Sequence, residues 1–296
     1  CCTEQFRAMY LAIFYTLVLK VNPVHVGILM LITKLWDAIN DPLIGALVDS
    51  HQNKGKGKFI PWIKFFAFPT AVLCILGFVN VSNFAYGARL AYMFITYVVY
   101  EIMYTCVSVP FGSLSSVMTD DVNQRTDLSR FRSLGGTIFM TVIVIAGPLF
   151  LYKDNQPVPS HFLIMAAICA VIGFICLMFT SHWCKERIIT EPVAKEKEKL
   201  NYLEVLKAIS KNKALLGVML SSFIGIVGAG MVNGLNTYLF RDYFGNVAIM
   251  AVSGMLSVIW SLIAFIGTKF VAKKFGKKEW IMYSATFSVV VYAILF

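Results

Sequence analysis

Apolar residues occur along most of this chain in runs of about twenty, and short polar stretches separate the runs. A helix of about 20 apolar residues is long enough to cross the hydrocarbon core of a bilayer. The pattern therefore predicts an all-α chain of membrane-spanning helices. We predict nine spans, near residues 1–20, 24–49, 60–82, 86–116, 131–152, 160–183, 213–242, 246–272 and 279–296.

One long hydrophilic stretch, residues 184–212, divides the chain. Its second half carries apolar residues at helical spacing among lysines, which predicts a short amphipathic helix at the membrane surface. We expect a six-helix bundle over 1–183, a cytoplasmic linker over 184–212 and a partial second bundle over 213–296. The chain begins and ends inside apolar runs, so we expect it to be a fragment cut at both ends.

Composition supports a membrane protein. The chain is 58% hydrophobic and only 14% charged, whereas about a quarter of the residues in soluble domains are charged. Nearly all of the seven cysteines fall in apolar segments, without the spacing of metal ligands. We interpret them as small buried side chains.

The net charge of +10 is unevenly distributed. Nineteen lysines and arginines lie near residues 54–58, 125–132, 185–213 and 269–278, and the intervening loops carry four. Basic loops stay on the cytoplasmic side, so we expect a multi-pass protein of the cell (inner or plasma) membrane with a cytoplasmic N-terminus. This charge lies in short loops, which argues against a nucleic-acid partner.

Inside the second span lie two aspartates, Asp37 and Asp41, which share a helix face with Asn40, and a third, Asp49, ends the span. An ionised aspartate at the centre of a membrane helix costs about 2.5–3.5 kcal/mol, so a partner is required. The oxygen atoms of this face suit a hard cation or a shared proton. Pro42 frees a backbone carbonyl one turn earlier as an additional ligand. The alternative is a structural ion pair between Asp37 and Lys34.

The fourth span has a polar stripe that contains Glu101, Thr105 and Ser108. Thr105 is placed to offer a hydroxyl oxygen to the aspartates of the second span. Glu101 has two interpretations, either a substrate ligand or the partner of an arginine.

Other charged residues fall near span ends. Glu4 and Arg7 are three residues apart in the first span, which predicts a self-neutralising pair. Asp49 precedes the basic loop that contains Lys58, which favours a structural or gating salt bridge. Arg132 opens the predicted fifth span, where a membrane-entry arginine commonly acts as an anchor. No catalytic constellation is recognisable, so we do not expect an enzyme.

Residues 34–62, KLWDAINDPLIGALVDSHQNKGKGKFIPW, resemble the second-helix signature of the glycoside–pentoside–hexuronide:cation symporters, the melibiose-permease branch of the major facilitator superfamily. Further matches are VPFGSL (109–114), RTDLSRFRSLGG (125–136) and VNGLNTYLF (232–240). The resemblance covers essentially the whole chain. One departure concerns Ser108, which stands where the family carries an acidic sugar ligand.

The resemblance implies a major facilitator fold with about nine of twelve helices present, acting as a monomer in the bilayer. It implies symport of a sugar or glycoside with Na⁺, H⁺ or Li⁺ by alternating access, without another cofactor. The implied cation site contains Asp37, Asn40, Asp41 and Thr105, with Asp37 and Asp41 as metal ligands if the ion is Na⁺. The predicted substrate site contains Glu4, Tyr100, Glu101, Ser108, Arg132 and Asn233.

Two other functions remain alternatives. One is a membrane sensor that keeps the fold but does not transport, against which the intact set of buried charges argues. The other is a lysolipid-type carrier of the same superfamily. Glu101 and Arg132 argue mildly against that carrier, because a lipid needs an apolar path.

Overall fold

The computed structural model describes two continuous segments, residues 2–50 and 57–188. Beyond them it describes residues 216–217, 220–221, 224–225, 228, 235, 238–246, 249, 251–257, 259–260, 263, 282–283 and 286–287. Asn233, the amphipathic helix predicted within 184–212 and most of the last three predicted spans lie outside the described residues. The division into two bundles stays a prediction.

Six α-helices and one small hairpin make up residues 2–188. The helices are α1 (Cys2–Ile13), α2 (Pro23–Ser50), α3 (Phe59–Leu76), α4 (Tyr86–Met118), α5 (Val122–Leu151) and α6 (Pro159–Trp183). The strands β1 (Tyr152–Lys153) and β2 (Gln156–Pro157) pair antiparallel and join α5 to α6.

Within the described residues, α3, α4, residues Gln124–Leu151 of α5 and α6 are long and apolar enough to cross a membrane. Their outer faces keep large apolar side chains exposed, such as Phe65 at 71% and Phe68 at 64%. A surface of this kind is stable against lipid but not against water. The predicted multi-pass, all-α class is therefore confirmed.

The core of the bundle is aromatic. Phe14 lies at the centre of a cluster in which its ring centroid is 5.3 Å from that of Phe78 and 5.6 Å from that of Phe162. Phe6 also contacts Phe78, at 4.9 Å. All four side chains are fully buried. This cluster holds the first helix inside the bundle, against residues from the end of α3 and from α6.

The predicted start of the fifth span was wrong. Helix α5 begins at Val122 rather than near 131, so Arg132 lies inside the helix and does not open it. The residues from 122 to 130 are mostly polar, which conceals them from a search for apolar runs. They contain no glycine or proline, and nothing in them interrupts a helix.

The ends of the first and seventh predicted spans share one backbone pattern. Helix α1 continues into a π-helical turn, Phe14–Val18, and a second π-helical turn covers Leu239–Tyr243. Each turn is followed closely by a residue with positive φ, Lys20 at 53° and Gly245 at 64°. Turns of this type are frequent at functional sites.

The two turns also lie against each other. The hydroxyl groups of Thr16 and Tyr238 share a hydrogen bond of 2.7 Å. Nearby, the Asn155 side-chain amide donates to the Gly245 carbonyl at 2.6 Å. We call this region, defined by these four residues, the closed end, because here the bundle contacts the chain that follows the linker.

Candidate functional site

The two aspartates of α2 differ in their surroundings. The helix continues through Pro42, so Asp37, Asn40 and Asp41 stay within one turn of each other. Asn40 is buried at 5% exposure, Asp37 is half-buried and Asp41 is exposed. Polar side chains of α2 therefore extend from the interior to an open face of the helix.

Helix α4 contributes a hydroxyl group to this face. The Thr105 Oγ1 atom donates a hydrogen bond of 3.1 Å to Asp41 Oδ1, and Thr105 itself is buried at 4% exposure. The structure thus brings Thr105 to the α2 aspartates across a helix interface, in the arrangement that the sequence led us to expect.

The alternative ion pair is also present. The Lys34 Nζ atom lies 2.9 Å from Asp37 Oδ2, and the Lys34 side chain is 63% exposed. The second carboxylate oxygen of Asp37, Oδ1, is buried and has no hydrogen-bond partner among the described residues. Asp37 therefore keeps one oxygen atom free for another ligand while Lys34 partly balances its charge.

The side chains that α2 and α4 bring together offer oxygen atoms as ligands. No group of three or more His, Cys, Asp or Glu residues that would hold a metal ion occurs within the described part of the chain. A cation site here draws on the carboxylates of Asp37 and Asp41, the amide oxygen of Asn40 and the Thr105 hydroxyl. Oxygen atoms of this kind are ligands for hard cations or, in the carboxylates, acceptors for a proton.

The structure favours one of the two interpretations of Glu101, in which it is the partner of an arginine. The described residues contain no ion pair between Arg7 and Glu4. Instead, Arg7 Nη2 lies 3.9 Å from Glu101 Oε1 on α4. The guanidinium carbon lies 3.6 Å from the centroid of the Tyr100 ring. The flat guanidinium group finds an aromatic face and a carboxylate on α4, which a neighbour on its own helix cannot offer.

The predicted substrate residues do not form one compact group in this structure. Glu101 is buried at 4% exposure, in contact with Arg7, and the Tyr100 hydroxyl donates to Thr3 Oγ1 at 3.0 Å. Glu4 and Ser108 are half-buried, and Arg132 is exposed.

Arg132 lines a separate space. Residues of α4, α5 and α6 surround a cavity of about 170 Å³, and Arg132 is its one charged lining residue within the described part of the chain. Serine and threonine side chains on the three helices line the same cavity, namely Ser115, Ser129 and Thr180.

At the end of the bundle opposite the closed end, Asp49 and Glu186 each bind residues at the start of α3. Asp49 Oδ1 lies 2.7 Å from Lys58 Nζ, so the expected salt bridge is formed. The Glu186 carboxylate accepts hydrogen bonds from the backbone N–H groups of Lys58, Phe59 and Ile60 at 2.9, 2.8 and 2.8 Å. The sequence analysis missed Glu186, whose only signal was an acid in a basic loop directly after a span.

Comparison with known proteins gives consistent matches. A family model described as MFS/sugar transport protein matches residues 4–296. An uncharacterized symporter of Bacillus subtilis, YjmB, is 31% identical over 284 residues, which cover 95% of this chain and 61% of that protein.

Two further relatives carry names that mention a sugar. The isoprimeverose transporter of Lactiplantibacillus pentosus is 29% identical over 293 residues, covering 97% of this chain and 59% of that protein. A putative sulfoquinovose importer of Salmonella typhimurium is 26% identical over 278 residues, covering 92% and 57%. The chain thus spans roughly three fifths of the length of these relatives.

Proposed function

The chain belongs to the MFS/sugar transport family, and on that basis we propose that it is a secondary active transporter which carries a sugar or glycoside together with Na⁺ or H⁺. The family and the matched relatives are transporters rather than enzymes. The proposal includes a location in the cell (inner or plasma) membrane, a cytoplasmic N-terminus and a monomeric state. The relatives named for isoprimeverose and sulfoquinovose support a glycoside or acidic sugar as the substrate.

The contact between Thr105 and Asp41 is the observation that carries the proposal. An ionised carboxylate within a membrane is costly, yet the apolar run of α2 carries Asp37 and Asp41, and α4 supplies a hydroxyl hydrogen bond to Asp41. Lys34 balances one of the two charges. The remaining negative charge attracts a cation or a proton, which gives the protein a site for the coupling ion.

Alternating access needs a route to this site from one side at a time. The contacts Thr16–Tyr238 and Asn155–Gly245 hold the closed end together, whereas Asp41 is exposed. These contacts support a state in which an ion reaches the proposed cation site from the end of the bundle that carries Lys58. With the orientation expected from the basic loops, that is the cytoplasmic end.

The test is transport by the full-length protein in proteoliposomes. Counterflow of labelled isoprimeverose, sulfoquinovose, a hexuronide and neutral glycosides would be measured while Na⁺, Li⁺ and pH are varied. We expect the double variant Asp37→Asn with Asp41→Asn to lose cation-dependent accumulation. The matched control is Asp154→Asn, an exposed carboxylate in the α5–α6 hairpin, which should transport normally.

Three outcomes would contradict parts of the proposal. Cation-driven accumulation that survives in the double variant would show that the α2 aspartates do not hold the coupling ion. A folded wild-type protein without counterflow of any sugar would favour the sensor, and exchange of lysolipids would favour the lipid carrier.

A further inference from the structure

Arg7 is buried inside the bundle without the hydrogen bonds that a buried arginine normally makes. Its side chain is 2% exposed, and none of its three guanidinium nitrogens has a hydrogen-bond partner among the described residues. The group stacks on Tyr100 at 3.6 Å. Gly77 makes room for it, since a Cβ atom there would lie 2.7 Å from Arg7 Nη1.

This residue links two helices of the predicted transport path. Arg7 is on α1, and both Tyr100 and Glu101, which hold its guanidinium group, are on α4. Glu101 lies four residues before Thr105, so the two side chains share one face of α4. Thr105 in turn donates to Asp41. A line of contacts therefore runs from α1 through α4 to the aspartates of α2.

We infer that Arg7 and Glu101 are positioning residues of the cation site, which fix α1 against α4 and so hold Thr105 at the distance from Asp41 that a bound Na⁺ requires. This inference rests on the proposed function. The stacking of Arg7 on Tyr100 and its ion pair with Glu101 are contacts through which α1 meets α4, about one turn before Thr105.

A positioning role of Arg7 and a purely electrostatic role predict opposite changes in Na⁺ affinity when Arg7 is removed. Removing a positive charge near a cation site raises the affinity for the cation, because a repulsion is lost. If Glu101 takes up a proton when Arg7 is removed, the net charge stays the same and the affinity hardly changes. Only the loss of a positioning contact lowers it, and loss of an outer-shell partner lowers metal affinity about 10–100-fold.

The experiment is a titration of the purified full-length protein with NaCl, and separately with LiCl, replacing choline chloride at constant ionic strength. Tryptophan fluorescence reports binding, since Trp36 is adjacent to Asp37 in α2. We expect Arg7→Gln to weaken Na⁺ binding about 10–100-fold. Arg89→Gln is the matched control. Arg89 also lies near a tyrosine ring on α4, 5.3 Å from Tyr86, but near the first turn of that helix.

A second variant separates positioning from a folding defect. Arg7→Gln leaves Glu101 as an uncompensated buried charge, whereas Arg7→Gln with Glu101→Gln removes both charges. We expect the double variant to bind Na⁺ weakly as well. Wild-type affinity in the double variant would overturn the inference, as would unchanged or tighter binding by a folded Arg7→Gln.

The inference and the proposed function fail in distinguishable ways. If the wild-type protein binds neither Na⁺ nor Li⁺ but accumulates sugar with protons, the inference is overturned and the symport proposal stands. If the wild-type protein and Arg7→Gln bind Na⁺ equally well, the positioning role of Arg7 is overturned and the symport proposal stands. If wild type binds Na⁺ but transports no sugar, the symport proposal fails instead.

Discussion

Replacing Glu186 by alanine tests how the segment after α6 is attached to the bundle. The carboxylate accepts hydrogen bonds from three consecutive backbone N–H groups at the start of α3, at distances between 2.8 and 2.9 Å. The first N–H groups of a helix have no partner within the helix. A negative charge at this position also interacts favourably with the helix dipole.

The size of the effect follows from these contacts. Loss of a helix N-cap costs about 0.5–2 kcal/mol, and hydrogen bonds to a charged group contribute about 1.5–3 kcal/mol. Glu186 is half-buried, and water partly replaces the lost acceptor, so we expect a loss of about 2 kcal/mol. For a bundle of this size that corresponds to a decrease in Tm of about 4–8 °C.

The bundle contains its own reporters of unfolding. Cys74, Cys106 and Cys169 are free and buried, so a thiol-reactive dye labels them only as the protein unfolds on heating. The controls are Lys185→Ala and Arg187→Ala. These neighbours are exposed, and alanine keeps the backbone N–H of residue 187, which donates to the Val117 carbonyl.

We expect the two controls to unfold within about 2 °C of wild type, as is usual for exposed side chains. If Glu186→Ala unfolded at the same temperature as Lys185→Ala, the carboxylate would not be holding the start of α3. Glu186→Gln should lie between the alanine variant and wild type, because its amide oxygen still accepts but carries no charge.

Two further predictions concern the ends of the bundle. Thr16→Val and Tyr238→Phe each remove the hydroxyl hydrogen bond of the closed end. Each should speed thiol labelling of a cysteine introduced at Leu17, the half-buried neighbour of Thr16. The double variant should add little, whereas additive effects would show that the hydroxyls do not interact. At the other end, Asp49 is 67% exposed in its pair with Lys58, so Asp49→Ala should change stability by less than about 1 kcal/mol. It should slow counterflow if the pair acts as a gate, and the exchanged pair D49K/K58D should restore the rate. An unchanged rate in Asp49→Ala would leave the pair without a gating role.

The spans were predictable because lipid imposes a simple pattern. Helix α6 covers Pro159–Trp183, close to the predicted 160–183, because its apolar run coincides with the whole helix. Helix α5 was misjudged at its start, since Val122–Arg130 is helical but polar. Apolar patterning locates the part of a helix that lies in lipid, and it cannot show how far the helix continues beyond it.

The sequence allowed us to predict which site residues lie close together on one helix, but it was a poorer guide to contacts between helices. The spacing of Asp37 and Asp41 placed them near each other because helical geometry is regular. The partner of Arg7 was harder to predict for the complementary reason. Its neighbour in sequence, Glu4, was a reasonable choice, but the fold also brings Glu101 of α4 to within 3.9 Å of the guanidinium group. Partners on different helices are set by how the helices pack, and the spacing of residues along one helix gives no information about that packing.

The charge balance of the bundle gives the proposed coupling ion a physical role. Helices α1, α2 and α4 carry four carboxylates within or next to their apolar runs and two basic side chains: Glu4, Asp37, Asp41 and Glu101, with Arg7 and Lys34. An excess of negative charge is hard to bury in a membrane. The face of α2 that carries Asp41 therefore favours an exposed position while its site is empty. In the symport that we propose, binding of a cation would reduce this excess and lower the cost of packing that face against the opposite bundle, which would couple the ion to the conformational change.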